Sequence, residues 1–190
     1  WSREVLREVR FGQTSQDGVL CSHAFDGTFR MIEMASAKRI SVLPQAHAVI
    51  ALSKGCAWHG AEGTEFVRRG GERVRLQVPS PTKLLGPARA GALLVAGQRG
   101  YRFDEQGRNV TSWQIGEGVS AVAEIHSRPL AGYSDGTLRI LDDVANKVLF
   151  ESTPSSPVTR LIPGPANTVV VGYESGEIAV WSLHGGRKLM

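Results

Sequence analysis

Cysteine is nearly missing from this chain: there are two in 190 residues, Cys21 and Cys56. They lack the paired spacing of a metal site and are too few for a disulfide framework, so a reducing, cytoplasmic location is the default expectation. No apolar stretch reaches the roughly eighteen residues of a membrane helix. The chain starts at Trp1, and no basic segment followed by an apolar one resembles a secretory signal. Charge of one sign does not gather either: Lys+Arg 22 against Asp+Glu 18 gives a net +4 spread along the chain, without the stripe of a nucleic-acid binder. The densest patch, Arg68, Arg69, Arg73 and Arg75 around Gly70-Gly71, reads as an exposed hairpin tip. No segment joins a helix cap to a 3.6-residue period. Neither a membrane nor a nucleic acid is an expected partner.

What is there is ordinary globular composition, 42% hydrophobic and 21% charged, with 22 glycines to suit a chain that turns often. One pattern of strand, turn and strand recurs five times, at Cys21–Met31, Trp58–Val67, Val95–Phe103, Leu130–Leu141 and Val171–Trp181. Its glycines, Gly27, Gly63, Gly100, Gly136 and Gly176, are 36, 37, 36 and 40 residues apart by subtraction. A hairpin turn puts a central residue at positive φ, where glycine costs least. Around the turns polarity alternates with period two, Leu138 and Ile140 against Thr137 and Arg139 for example, which marks strands. Room remains in each repeat for two more, such as Lys147–Phe150 and Val158–Ile162.

The expected fold is all-β: about five four-stranded antiparallel units over residues 3–44, 45–80, 81–116, 117–153 and 154–190. Four strands with apolar residues on both faces must stack on neighbours, and radial stacking makes a β-propeller. The second repeat fits least well, because Arg68 falls where its relatives have Leu141 and Trp181.

The run Gly132-Tyr133-Ser134-Asp135-Gly136-Thr137-Leu138-Arg139-Ile140-Leu141-Asp142, and Gly172 through Trp181-Ser182, resemble the WD-repeat family, in which a Gly-Ser-x-Asp-Gly-Thr turn precedes a strand ending in Trp-Asp. The Trp-Asp pair stands here as Leu141-Asp142, Ile32-Glu33 and Trp181-Ser182, and the family's Gly-His pair is absent. Quinoprotein-like propellers share the Asp-Gly turn and are the rival assignment. The resemblance implies a ring of the seven-blade type, of which this chain is part, or one completed by a partner chain; a closed ring of five is the third arrangement.

Motifs that suggest chemistry give way to context. Gly132-Tyr133-Ser134-Asp135-Gly136 matches a nucleophile elbow, but that elbow needs a following helix where this sequence has a strand. Gly116-Glu117-Gly118 matches a loose dinucleotide fingerprint, again ahead of a strand. His23 and His59 hold equivalent places without a third metal ligand, and His47, His126 and His184 suggest no general base. No catalytic residue, metal site or cofactor is expected.

In a propeller the turns between second and third strands share a face with the links between units. That face would gather Phe25, Asp26, Ala61, Glu62, Gln98, Arg99, Tyr133, Asp135, Tyr173 and Glu174. Tyr133 and Tyr173 at matching places are either exposed binding anchors or rings packed on the next unit. The expected function is a non-catalytic protein-interaction scaffold or sensor module. Its partner is another protein, another subunit or the rest of its own polypeptide. The alternative is a quinoprotein-like or hydrolytic propeller enzyme with a polar, acid-lined funnel.

Overall fold

The computed structural model describes residues 9–190 apart from 44–45, 62, 79–81, 89, 153–155 and 184–186. The first sheet comprises β1 (Val9–Thr14), β2 (Val19–Ala24), β3 (Phe29–Glu33) and β4 (Arg39–Leu43). The second comprises β5 (Ala46–Leu52), β6 (Gly55–Gly60), β7 (Gly63–Val67) and β8 (Arg73–Arg75), and the third β9 (Thr82–Ala88), β10 (Gly91–Ala96), β11 (Arg99–Phe103) and β12 (Asn109–Gln114). The fourth holds β13 (Val119–Ile125), β14 (Arg128–Tyr133), β15 (Leu138–Asp142) and β16 (Lys147–Glu151); the fifth holds β17 (Val158–Pro163), β18 (Thr168–Tyr173), β19 (Ile178–Ser182) and β20 (Arg187–Lys188). Each sheet is an antiparallel meander with its strands in chain order.

Among the described residues the five sheets enclose four apolar cores, one at each junction between sheets consecutive in the chain. Interior sheets therefore bury both faces. All six residues of β10 are buried, with Leu93 and Val95 turned to the fourth sheet and Ala92, Leu94 and Ala96 to the second. First strands lie against first strands, β1 on β5, β5 on β9, β9 on β13 and β13 on β17, which makes them the inner edge. Among the described residues no junction of that extent joins the fifth sheet to the first.

Turn length is where the structure departs from the simple repeat. Three of the second-to-third-strand turns are alike: Ala24, Tyr133 and Tyr173 donate to the carbonyls of Thr28, Thr137 and Glu177 and accept from the amides of Gly27, Gly136 and Gly176. The second and third sheets have shorter hairpins, closing at Gly60 opposite Gly63 and at Ala96 opposite Arg99. The shorter turn advances the second repeat's third strand by one residue. Val67, fully buried, thus takes the place of Leu141, and Arg68 follows the strand instead of interrupting it. Gly100 is likewise not a turn glycine: Gly97 supplies the positive φ, at 60°, while Gly100 lies under Trp113, whose ring a Cβ would meet at 2.3 Å.

The two cysteines, too few for a disulfide framework, nevertheless form a single bridge, against the expectation of a reducing environment. Cys21 of the first sheet and Cys56 of the second are fully buried and joined in a disulfide, their Cα atoms 5.7 Å apart. Adjacent sheets, 35 residues apart in sequence, bring them together, and cysteine spacing alone does not register that proximity.

The arginine patch also does more than decorate a hairpin tip. Arg69 pairs with Glu33 and reaches the Asp17 carbonyl, tying the second sheet to the first. Arg68 donates to Gln106 at 2.9 Å, tying the second sheet to the third, while Arg73 pairs within its own sheet with Glu65. Arg102 extends the series by pairing with Asp143 across the third junction at 3.3 Å.

Candidate functional site

At the start of every first strand the antiparallel register slips by one residue, a bulge that leaves one position outside the strand alternation. The five positions are Arg10, His47, Lys83, Ser120 and Thr159. They lie at the end of each sheet where the second-to-third-strand turn meets the link between sheets. Backbone bonds fasten turn to link: Gly27 accepts from Ala46, Gln98 from Ile115, Gly118 from Ser134, and Pro157 from Glu174.

Along the inner strands runs a cavity of about 510 Å³ to which all five sheets contribute, from His23, His47 and Ser120 at this end past Leu85 and Arg160 to Gln13 and Pro163 toward the other. Among its described lining residues none is Asp or Glu. His59 stands nearby, its ring centroid 5.9 Å from that of His47 and its Nδ1 3.1 Å from the Thr64 hydroxyl. Burial, the largest cause, and the neighbouring His47 hold its pKa below the usual histidine range. Cys21 is committed to the disulfide, and among the described residues no group of three His, Cys, Asp or Glu could hold a metal. Ser134 sits in a turn between two strands, so the elbow geometry that activates a serine is not formed.

The predicted face residues divide by what their side chains do. Phe25 is 74% exposed at a turn tip. Beside it Asp26 accepts from the Thr28 hydroxyl and amide and pairs with Arg30 at 2.7 Å; the Thr28 hydroxyl is the main cause of its lowered pKa. Asp135 accepts from the Thr137 amide at 2.8 Å, which holds its carboxyl below the usual range. Both aspartates brace their turns while remaining exposed. Gln98 donates to Glu117, Arg99 donates to Ser112, and Glu174 is exposed. Glu62 lies outside the described residues.

Tyr133 and Tyr173 take the packed alternative rather than the exposed one, each only 4% exposed. The Tyr133 hydroxyl donates to the Ile115 carbonyl at 2.7 Å, with the Arg139 guanidinium over the ring, while Tyr173 accepts from the Trp181 indole at 3.0 Å. Burial raises the pKa of both phenols. The residue in Trp181's place in the fourth sheet is Leu141, whose side chain has no N–H to offer, and Tyr133 donates to a backbone carbonyl instead. For Tyr173 the signal for burial was the alternation, since it keeps step with the buried Val169 and Val171; β14 is buried from Pro129 through Tyr133, so alternation gives no such signal for Tyr133.

No protein-family model matches the chain, and no curated protein does. Among solved structures 1130 chains match, a number too large for the shape to name one function. Over 96% of its length the chain superposes on KlHsv2 with loop 6CD replaced by a Gly-Ser linker, with TM-score 0.66 and 13% identity. Over 95% it superposes on a chain of the mitotic checkpoint complex, with TM-score 0.75 and 14% identity. The fold is β-propeller-like. The chain spans 65% and 62% of those two proteins' lengths, and at such identities the likeness concerns fold alone.

Proposed function

We propose that this chain is a non-catalytic protein-interaction scaffold of the WD-repeat kind, one stretch of a larger propeller ring, and that it recognises a protein partner through the turn-and-link face. The observation that carries this reading is Phe25: a large apolar side chain, 74% exposed, on a turn held rigid by Asp26. A fixed loop spends little ordering entropy on binding, and an aromatic ring with exposed Asp26, Gln98, Arg99, Asp135 and Glu174 around the same end supplies apolar contact with a polar rim. The absence of carboxylates among the described cavity-lining residues gives the enzymatic alternative little to work with. One of the similar chains belongs to a multiprotein complex, which suits a scaffold.

The test places a photo-crosslinking amino acid at position 25 and, as control, at Val144, which is 88% exposed on a third-to-fourth-strand turn at the opposite end of its sheet. A partner captured only from position 25 should bind the Phe25→Ala variant about tenfold or more weakly. Equal capture from both positions, or an affinity indifferent to Phe25→Ala, overturns the assignment of this face.

A further inference from the structure

The outward face of the fifth sheet follows the outward face of the fourth row by row, apolar at each matching position except Arg160, which stands where the fourth sheet has Ala121. In the fourth sheet the rows Ala121–Gly132–Leu138 and Ala123–Leu130–Ile140 cross β13, β14 and β15. The fifth sheet covers them, and Leu130 and Leu138 are fully buried. The matching rows of the fifth sheet are Arg160–Gly172–Ile178 and Ile162–Val170–Val180. Here Ile162 and Ile178 are 53% and 70% exposed, and β18 alternates between half-buried and buried where β10 is buried throughout.

Two docking devices of the fourth junction recur on this face. The first is a glycine seat: a Cβ on Gly132 would fall 2.4 Å from Cγ1 of Val158, the leading residue of the next sheet. On Gly172, in the same place, a Cβ would meet only its own sheet, Thr159 at 3.5 Å and Arg160 at 3.6 Å. The second is a bulge hydroxyl. Ser120 lies within hydrogen-bond distance of both the Gly132 carbonyl, at 3.2 Å, and the Val158 carbonyl of the next sheet. Thr159, at the same bulge, donates to the Gly172 carbonyl at 3.0 Å.

We propose that this face is the docking surface for a further four-stranded repeat of the same polypeptide. Its first strand sets a β-branched residue over Gly172 and turns a carbonyl toward the Thr159 hydroxyl. Continuity argues for that occupant: all four junctions here join a sheet to the repeat that follows it, and the fourth uses these same devices. The inference rests on the larger-ring reading proposed above.

The test appends a second copy of residues 152–190 after Met190, so that the added Val158 can seat on Gly172. Maleimide labelling of Ile178→Cys reports the face in the chain as it is and in the extended chain, with Val144→Cys as the exposed reference. Rapid labelling that falls about tenfold or more on extension, and recovers when Gly172→Val is added, is the expected result. Gly172→Val should leave the unextended chain's melting temperature unchanged. Should the extended protein misfold, residues 117–153 replace the added segment and bring Val119 to the same seat.

Protection indifferent to Gly172→Val, or no protection at all, overturns the docking rule while leaving the larger ring intact. Slow labelling of the unextended chain overturns both when it is monomeric, because the ring then closes on itself. Slow labelling with a doubled mass names a second copy as the occupant and overturns the proposal alone.

Discussion

The first and fourth junctions join sheets of the same topology by different means. At the first, Val19, Phe29 and Met31 meet Val49, Trp58 and Val67, the Phe29 and Trp58 rings lie nearly parallel with centroids 6.4 Å apart, and a buried disulfide crosses the interface. At the fourth, no disulfide crosses: Val158 seats on Gly132, and Leu130 and Leu138 pack against Leu161, Val171 and Trp181. One interface is cross-linked around large rings, the other drawn close by a missing side chain. Stability in such an array resides in the contact between neighbours as much as in each sheet, so the repeats can diverge in sequence as long as each pair still fits.

The strongest way to break the comparison is Leu130→Ala. It opens a cavity at the fourth junction and should cost about 3–5 kcal/mol in urea unfolding. It should also release the fifth sheet before the rest, seen as early hydrogen exchange in β18; simultaneous exchange at both ends would mean the junctions are not separable. Cys56→Ala should cost about 2–4 kcal/mol, since it frees a loop of some 35 residues in the unfolded chain. A thiol count on protein denatured without reductant should find none, and two would mean the first junction is held by packing alone. A paired count also favours an oxidising compartment over the cytoplasm read from the sequence.

Arg102→Met sharpens the comparison at the third junction. It leaves Asp143, 8% exposed, without its cation, and a loss of about 1–3 kcal/mol is expected in the same urea assay. The smallest effect is pH-dependent. His59 has its pKa lowered in the fold, so the unfolded chain takes up the proton first as pH falls below about 6.5, and stability declines there while remaining complete above it. His59→Gln should flatten the melting temperature between pH 7.5 and 5.5; an unchanged slope would assign the decline to another group.

The meander, the strand alternation and the repeat period were legible in the sequence because glycine and period-two polarity are local signals. Gly63 and Gly100 kept the period although their turns are a residue shorter than those at Gly27, Gly136 and Gly176. That regularity hid the shift that brings Val67, not Arg68, to the core. The disulfide, the arginine ties and the neighbours of Tyr133 and Tyr173 depend on how one sheet faces the next, for which a single strand carries no code. For the candidate face, the sequence located the turns; exposure then singled out Phe25 and withdrew the tyrosines.

The bulge that opens each first strand has an evolutionary consequence. A residue outside the alternation does not choose between core and solvent by parity, so the strand pattern leaves its identity open and only its own contacts constrain it. Arginine, histidine, lysine, serine and threonine occupy the five positions on one shared backbone path, and His47 and Ser120 border the cavity. Selection or design can therefore vary the chemistry of that mouth at a position such as His47, whereas Ser120, whose hydroxyl also reaches the next sheet, stays tied to the junction it braces.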